Sequence, residues 1–410
     1  MGYRSRIIGT MYRYFWRFKL TPTGRWIVPA VLLSAVGSID IGAPIYQVFC
    51  ALIALLFICE PIGLLFRPQV DLKGKLPSKV RVDEPFTGNV LITNTSWKPA
   101  FDLMVGMFGL PKSVELLNRD RYISSLKIGE SESLPVTLVA HRRGVYRLPP
   151  IHIHSTFPFN LMRFGDCKLP AQSVTVLPAY HSLEYVDIPL SLRYQPVGTL
   201  MTANVGSSME YIGNREYSPG EPTRHLDFRA WARVGRPIVR EYHEEYSRRV
   251  AVILDTFVPG RGRNRAAGEA GLEAAISLTA AVTESLSTGE FLLDFFAAGP
   301  HLHVFRSTGN QSSFDNVLEI LAAVDSSRRD PFAQISPAVA EEMQHISTAV
   351  CVLLDWDESR RRLMDRMVEA GCALKVIVVR NGETTLPLEG AASIEQVTTD
   401  SVTSGQLQEI

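Results

Sequence analysis

The chain has 410 residues, enough for two or three domains, and its 42 basic and 42 acidic side chains balance to a formal net charge of zero. A zero net charge argues against a general nucleic-acid binder, which needs a net basic field. The five cysteines include no CxxC pair and no zinc-ligand spacing. We therefore expect free thiols in a reducing compartment, with neither a disulfide framework nor a zinc site.

Two apolar runs predict a transmembrane helical hairpin over residues 26–66, after a basic N-terminal segment of residues 1–25. The first run, WIVPAVLLSAVGSI, is short for a membrane span, whereas the second, IYQVFCALIALLFICEPIGLLF, is long enough despite Glu60 and Pro61. Basic residues flank the pair on both sides, so both termini are expected in the cytoplasm. A cleaved signal peptide is the alternative, but a second apolar run follows the first at once.

Residues 67–190 contain short alternating runs separated by turn residues, a pattern typical of an antiparallel β-sandwich. His152 and His154 lie on one face of a predicted strand, and His301 and His303 have the same spacing. Such a pair suits a metal ion. Because no third ligand is in sight, we interpret both pairs as polar strand faces.

An arginine-rich segment covers residues 191–249, and from residue 210 to 249 it contains no lysine. Arginine without lysine suggests planar, bidentate pairing with carboxylates or phosphates. Ser218-Pro219-Gly220 predicts a tight turn, and a helix is expected from Pro222 or Thr223 through Arg233.

The charges of this segment leave three interpretations open. The first is an internal ion-pair network that clamps the segment onto the next domain. The second is a docking surface for a partner, and the third is binding of anionic lipid headgroups. The network would pair Glu216, Glu221 and Asp227 with Arg215, Arg224 and Arg229, whereas headgroups would contact Arg233, Arg236 and Arg240.

Residues 250–410 alternate between helices and near-continuous apolar strands, which predicts a doubly wound α/β domain with a mostly parallel sheet. Strands are expected at VAVILD, FLLDFFA, HLHVF, TAVCVLLD and ALKVIVV, and helices over 266–286, 314–324, 337–345 and 358–370. No GxGxxG or GxxxxGKS/T motif follows a strand, so we predict no nucleotide cofactor. Asp255 and Asp355, with Asp357 and Glu358, follow strand ends, where such folds bind ligands.

Three stretches resemble a bacterial family called domain of unknown function 58, DUF58. They are HRRGVYRLPPI over residues 141–151, TFPFNLMRF over 156–164 and REYSPGEPTRHLDFRAWAR over 215–233. The last is similar to the family signature REYxPGDDxRxIDWxAxAR. The candidate partner-binding or structural residues in this signature are Arg215, Glu216, Tyr217, Pro219, Gly220, Arg224, Asp227, Arg229 and Arg233.

The resemblance implies two membrane helices, a β-sandwich, the signature segment and a von Willebrand factor A-like domain. Domains of that kind often hold a metal through a D-x-S-x-S motif. Asp255 matches the first position here, but Phe257 and Pro259 stand at the two serine positions, and Asp355 matches a second aspartate. Since magnesium needs near-octahedral oxygen ligands, we treat Asp255 and Asp355 as a degenerate site and expect no metal.

The resemblance also implies work beside a MoxR-type AAA+ ATPase at the bacterial inner membrane, with a membrane transglutaminase-like protein as a frequent companion. We expect a non-enzymatic scaffold or adaptor without a cofactor. One alternative is a metal-dependent binding protein or hydrolase that uses Asp255, Asp355 and Asp357. Another is a cell-envelope assembly factor whose membrane hairpin is the working part.

Overall fold

The computed structural model describes residues 15–37, 44–118, 120–189, 211–218, 226–242, 248–260, 262–287, 291–298, 302–306, 312–330, 346–390 and 393–410, together with Phe332, Pro337 and Val339. The chain divides into two compact units. We call residues 1–177 the β unit and residues 178–410 the α/β unit.

The β unit begins with a π-helical turn, Phe15–Lys19, and two α-helices, α1 (Pro22–Gly37) and α2 (Pro44–Leu65). Among the described residues, α2 alone is long and apolar enough to cross a membrane. Helix α1 has 16 residues and contains Pro29. A span needs about 20 residues, so α1 is too short by itself. The predicted turn between the helices lies in residues 38–43, outside the described residues.

Short strands that pair mostly antiparallel fill the rest of the β unit. They form three sheets, with orders β1-β3-β7-β5, β10-β9-β4-β6 and β2-β11-β8. The strands are β1 (Val70–Gly74), β2 (Lys79–Arg81), β3 (Phe86–Asn94), β4 (Ala100–Met107), β5 (Val114–Leu116), β6 (Tyr122–Leu126), β7 (Ser131–Ala140), β8 (Gly144–Leu148), β9 (Ile151–Ser155), β10 (Phe164–Leu169) and β11 (Gln172–Leu177).

One hydrophobic core joins the three sheets. Strand β3 alternates buried and exposed residues, as the period of two requires for a strand with one face on a core. The core takes side chains from every sheet, including Ile92, Leu103, Val136, Ile153 and Val176. The alternating pattern predicted β-structure over residues 67–190. Strands fill this range as far as Leu177, and residues 178–190 belong to the α/β unit.

The α/β unit is built on a six-stranded sheet of order β16-β15-β14-β17-β18-β19. All its neighbouring strands run parallel except β15 and β16, which pair antiparallel at one edge. A separate pair, β12 and β13, precedes it. The strands are β12 (Tyr211–Glu216), β13 (Ile238–Tyr242), β14 (Arg248–Leu254), β15 (Phe291–Ala298), β16 (Leu302–Arg306), β17 (Thr348–Leu353), β18 (Ala373–Val379) and β19 (Ser393–Val397).

Helices cover this sheet and explain its apolar strands. Every residue of β17 is buried, which requires cover on both faces of the sheet. Helix α4 contacts β14, β15 and β17, and α6 shares a core with Ala251 and Cys351. The helices of this unit are α3 (Phe228–Val234), α4 (Arg263–Ser287), α5 (Ser312–Ala323), α6 (Glu358–Glu369) and α7 (Thr399–Thr403).

Most of the elements predicted for residues 250–410 lie within a residue or two of those observed. Two elements were not predicted, the edge strand β19 and the short helix α7. The helix predicted over residues 337–345 lies almost entirely outside the described residues. All five cysteines have free thiols, and Cys50 is exposed on α2.

Candidate functional site

The arginine-rich signature forms a β-hairpin with helix α3 in its connection. Strands β12 and β13 pair antiparallel, with Arg215 opposite Val239 and Glu216 opposite Ile238. The N–H of Tyr217 donates to the carbonyl of Pro237 at 3.0 Å, and the N–H of Asp227 donates to the carbonyl of Ile238 at 2.8 Å. These bonds hold both ends of the connection against the hairpin. Pro219, Gly220, Glu221 and Arg224 lie outside the described residues.

Asp227 starts helix α3, so this helix begins later than predicted. Its backbone is extended, with φ −88°, and its carboxylate accepts the N–H groups of Arg229 at 2.9 Å and Ala230 at 3.0 Å. A helix leaves its first N–H groups without partners, and an aspartate at the N-cap position satisfies two of them. At the other end Gly235 takes φ 74°, a left-handed conformation that glycine adopts without strain.

Two ion pairs link parts of the signature hairpin. One joins β13 to the start of α3 and is partly buried, because the Asp227 side chain is 13% exposed, and the other joins Arg236 to β12 at the surface. Arg240 Nε lies 2.9 Å from Asp227 Oδ2, and Arg236 Nη1 lies 2.5 Å from Glu216 Oε1. The N–H of Ala230 and the Arg240 side chain hold the pKa of Asp227 below its ordinary value. The side chains of Arg236 and Glu216 are 67% and 64% exposed. The Arg236–Glu216 pair is therefore not part of an internal clamp.

The outer face of α3 is apolar and cationic. Phe228 is 68% exposed and Trp231 is 37% exposed, and their rings stack with centroids 6.1 Å apart. Val234 continues this stripe, and Arg229 and Arg233 are exposed beside it. None of the residues of α3 is buried. Aromatic and arginine side chains are the types enriched at protein interfaces.

An arginine occupies the place where the degenerate metal site was expected. Asp255 follows β14 and is fully buried, and its Oδ2 accepts Arg360 Nε at 2.9 Å and Nη2 at 2.5 Å. The N–H groups of Phe257 and Leu354 donate to the same carboxylate at 2.9 Å and 3.0 Å. Arg360 also bonds the Asp357 carboxylate. A guanidinium and two backbone donors therefore fill the contacts that a cation would use.

Charge and burial act in opposite directions on this pair. Burial would lower the pKa of Arg360, but the Asp255 carboxylate outweighs it and raises that pKa above its ordinary value. The rings of Phe257 and Phe332 lie 5.8 Å and 5.1 Å from the guanidinium carbon. Arginine stays protonated in proteins, whereas at Asp255 burial outweighs the Arg360 charge and raises the pKa of that carboxyl above its ordinary value.

Asp355 is also occupied by protein donors. Its Oδ1 accepts the N–H groups of Trp356 at 2.8 Å and Thr385 at 2.9 Å, and its Oδ2 lies 2.7 Å from Thr385 Oγ1 and from Arg380 Nη1. Burial raises the pKa of Asp355, but the two bonds from Thr385 and the charge of Arg380 outweigh it, so that the pKa lies below its ordinary value. Within the described ranges, no group of three potential ligands is arranged for a metal ion.

The stretch TFPFNLMRF, residues 156–164, joins the helices of the β unit to its sheets. Thr21 Oγ1 donates to the carbonyl oxygens of Asn160 and Leu161 at 2.5 Å and 3.1 Å. Gly24 approaches so closely that an added Cβ would lie 1.9 Å from the Leu161 carbonyl oxygen. Arg163 Nη1 donates to the carbonyls of Phe18 and Leu20 at 2.9 Å and 2.8 Å. From the sequence alone this stretch is recognisable only by its family resemblance, which implies no role for it.

The histidine pair of β9 contacts protein side chains. His152 Nδ1 lies 3.0 Å from Asp166 Oδ1, and His154 is buried beside it. Phe108 packs edge-on against His152, with centroids 5.2 Å apart. Phe108 therefore contacts both rings, whereas Asp166 pairs with His152. Of the other pair, His301 lies outside the described residues.

The chain is a multidomain protein with a layered β unit, a mixed α/β unit that carries an exposed signature hairpin and, among the described residues, one apolar helix of membrane-spanning length.

Residues 213–408 match the family described as "Protein of unknown function DUF58", so the chain carries a DUF58 domain. The match covers most of the α/β unit, including helix α3 and the six-stranded sheet. No curated protein matches the chain.

Similar solved structures add no functional argument. A CARDB domain from Pyrococcus furiosus is 16% identical, with 27% of this chain and 95% of that one covered and a TM-score of 0.20. A cohesin module of a Clostridium perfringens family 33 glycoside hydrolase is 13% identical, with coverages of 27% and 97% and a TM-score of 0.17. Native alpha-2-macroglobulin from Escherichia coli is 14% identical, with coverages of 75% and 39% and a TM-score of 0.23. At these TM-scores none supports an inference about this chain.

Proposed function

We propose that this protein is a non-enzymatic, membrane-anchored adaptor that docks a partner protein on helix α3 and its hairpin. The observation that carries the proposal is the outer face of α3. It combines the exposed Phe228–Trp231 stack with exposed Arg229 and Arg233. Exposed aromatic rings next to arginines are the residues that contribute most binding energy at interfaces.

The proposed partner is a MoxR-type AAA+ ATPase, as the DUF58 resemblance implies. The arginines of α3 favour an acidic surface on that partner, because guanidinium groups pair with carboxylates in bidentate geometry. The ion pairs of Glu216 and Asp227 leave the α3 face itself uncovered. A transglutaminase-like membrane companion rests on the resemblance alone.

The anchor of the adaptor is helix α2. Its side chains Ile53 and Phe57 are exposed, which suits lipid contact. We further propose that α1 and α2 form a two-span hairpin in the bacterial inner membrane with both termini in the cytoplasm. The basic flanks support this orientation. The parallel sheet with Asp255 at the carboxyl end of β14 agrees with a von Willebrand factor A-like assignment of the α/β unit.

The contacts of the two aspartates speak against a metal-dependent binding protein or hydrolase. Asp255 is held by Arg360 and backbone N–H groups, and Asp355 by Thr385, Arg380 and Trp356. A cation would have to displace a guanidinium from each carboxylate. The third hypothesis is an assembly factor that works through its membrane hairpin. Its function would survive substitutions in α3 but would be lost when an unrelated hairpin replaces residues 26–66.

The decisive experiment captures the partner of the full-length chain. The tagged protein is purified in mild detergent with ATP or a non-hydrolysable analogue, and mass spectrometry identifies bound proteins. The variants are Trp231→Ala and Arg233→Gln, and the matched controls are Trp97→Ala and Arg361→Gln, which change exposed residues elsewhere. We expect a nucleotide-dependent AAA+ ATPase with the wild type and both controls, and roughly tenfold or greater loss with the α3 variants.

Equal recovery of the ATPase with all four variants would refute α3 as the docking surface. The absence of any AAA+ protein from the wild-type sample would refute the partner assignment. The anchor is tested by Ile53→Lys with Phe57→Lys, because each charge at a span centre costs about 2.5–3.5 kcal/mol on insertion scales. We expect the double variant to leave the membrane fraction, while Trp97→Lys stays in it.

A further inference from the structure

A cavity of about 130 Å³ in the β unit is lined by charged side chains that neither the adaptor role nor the signature uses. His152 and His154 of β9 form one side of it. Strand β10, together with Arg163 just before it, forms another side. A residue that precedes α1 completes it. The polar lining residues are Lys19, His152, His154, Arg163, Asp166 and Lys168.

Positive charge exceeds negative charge in this lining. Lys19, Arg163 and Lys168 are cationic, and Asp166 is the lining carboxylate. Asp166 is already engaged, because its Oδ1 lies 3.0 Å from His152 Nδ1 and its Oδ2 lies 2.7 Å from Lys168 Nζ. Glu60 on α2 lies 3.1 Å from Lys19 Nζ but does not line the cavity. The cavity therefore attracts an anion.

His154 supplies an independent sign of a ligand. The residue is only 6% exposed, and its Nδ1 has no hydrogen-bond partner among the described residues. A buried ring nitrogen without a partner is unfavourable, so a bound group that accepts or donates there stabilises the site. Burial, followed by the charges of Arg163 and His152, lowers the pKa of His154 to about 3. Burial and the charge of Arg25 lower the pKa of Arg163 to about 10.

The neighbours of the cavity connect it to the apolar helix. Lys19 Nζ lies 4.2 Å from the ring centroid of Phe164, and Phe164 packs with Cys59 of α2 and Leu161 in one small buried cluster. Glu60, the partner of Lys19, is on the same helix. The cavity is therefore at the end of α2 that meets the sheets. When α2 crosses a bilayer, this end lies at headgroup depth.

We propose that this cavity binds a phosphate group, with Lys168 and Lys19 as cationic donors and the neutral His154 ring donating from Nδ1. Charge-assisted bonds from lysine suit phosphate oxygens. The group has two sources, the headgroup of an anionic phospholipid or free inorganic phosphate. This inference does not depend on the AAA+ partner or on α3.

The test is isothermal titration of the full-length chain in an uncharged detergent. The probes are inorganic phosphate, monomeric short-chain phosphatidylglycerol and short-chain phosphatidylcholine, whose choline cation the lysines repel. The variants are Lys168→Gln, which changes a half-exposed side chain, and His154→Phe, and the control is Lys127→Gln, an exposed lysine outside the cavity. We expect saturable binding that weakens about tenfold or more in both variants and stays unchanged in the control, as for the loss of a charged hydrogen bond.

The probes separate the two sources. Saturation by phosphatidylglycerol but not by phosphate assigns the lipid, and saturation by phosphate alone assigns the free anion. Histidine NMR adds a second readout, because a bound anion should raise the pKa of His154. No saturable binding of any probe, or equal weakening by Lys168→Gln and Lys127→Gln, overturns the proposal. Lys168→Gln decides the matter even where His154→Phe fails to fold.

Discussion

Two regions of the α/β unit use the same arginine–carboxylate chemistry in opposite environments. At the end of β14, the side chains of Arg360 and Asp255 are 2% and 0% exposed. In the signature hairpin, the Arg236–Glu216 pair is mostly in solvent. The buried pair links helix α6 to the end of β14, and protein donors occupy the Asp255 carboxylate. The exposed pairs are easily exchanged for contacts with another molecule, so only the hairpin suits docking.

The buried pair should give the largest effect on stability. Arg360→Met leaves Asp255 as an uncompensated buried charge, which costs about 3–5 kcal/mol. The free energy of opening of β14 and β17, measured by hydrogen exchange, reports this loss. Arg361→Met, on the same helix but half-exposed, is the control, with a change within about 0.5 kcal/mol. Asp255→Asn combined with Arg360→Met should recover part of the loss. Equal effects of the two single variants would contradict the comparison.

Asp355, which follows strand β17, should make the stability of the α/β unit sensitive to acid. Its pKa is lower in the folded than in the unfolded protein, so its contribution to stability is complete above the unfolded pKa and is lost as pH falls through the folded one. Asp355→Asn should destabilise by about 1 kcal/mol near pH 7, since the Arg380 pair is partly screened by solvent. The difference from wild type should shrink on acidification below about pH 4. A difference that does not change with pH, in unfolding series at several pH values, would exclude this role.

The helix of the signature hairpin should respond only locally. Asp227→Ala removes the acceptor of two N–H groups at the start of α3, so the amides of Arg229 and Ala230 should exchange faster. Exchange in β14 and β17 should stay unchanged, because α3 buries no residue. Asp227→Asn keeps an acceptor and is the matched control. Faster exchange in β14 and β17 of the alanine variant would show that the hairpin supports the core.

The smallest effect is expected for the exposed ion pair. Arg236→Gln removes the partner of Glu216 at a site open to water, so stability should change by less than about 1 kcal/mol. High salt should reduce even this difference, because it screens surface charges. Thermal unfolding of wild type and variant at low and high salt measures it. A loss as large as that of Arg360→Met would remove the distinction between the two regions.

The strands and helices of both units were largely predictable from periodicity. Alternating runs gave β3 and its neighbours, and continuous apolar runs gave β14, β17 and β18. The edge strand β19 and the short helix α7 were not predicted, because both are short and carry polar residues. The start of α3 was predicted too early, at Pro222 or Thr223. The residue that caps the helix, Asp227, lies inside the segment that was predicted to be helical.

The candidate sites were less predictable than the elements. The sequence showed that Phe257 and Pro259 offer no hydroxyl ligand beside Asp255, but it did not show that Arg360 pairs with this carboxylate. Arg360 is 105 residues from Asp255 along the chain. Arg236 and Arg240 are headgroup contacts in one of the three interpretations of the segment, and their pairing with Glu216 and Asp227 was not foreseen. Side-chain partners across such separations depend on how the strands pair.

The sequence by itself determined the order of the elements, the apolar character of α2 and the match of residues 213–408 to DUF58, because these depend on local pattern and composition. Only the tertiary structure decided which charges are buried. It also decided that Thr21 and Arg163 form hydrogen bonds between the N-terminal helices and the sheets of the β unit, and that His154 lines a cationic cavity. Burial and pairing are properties of residues far apart in the chain, and only folding brings them together.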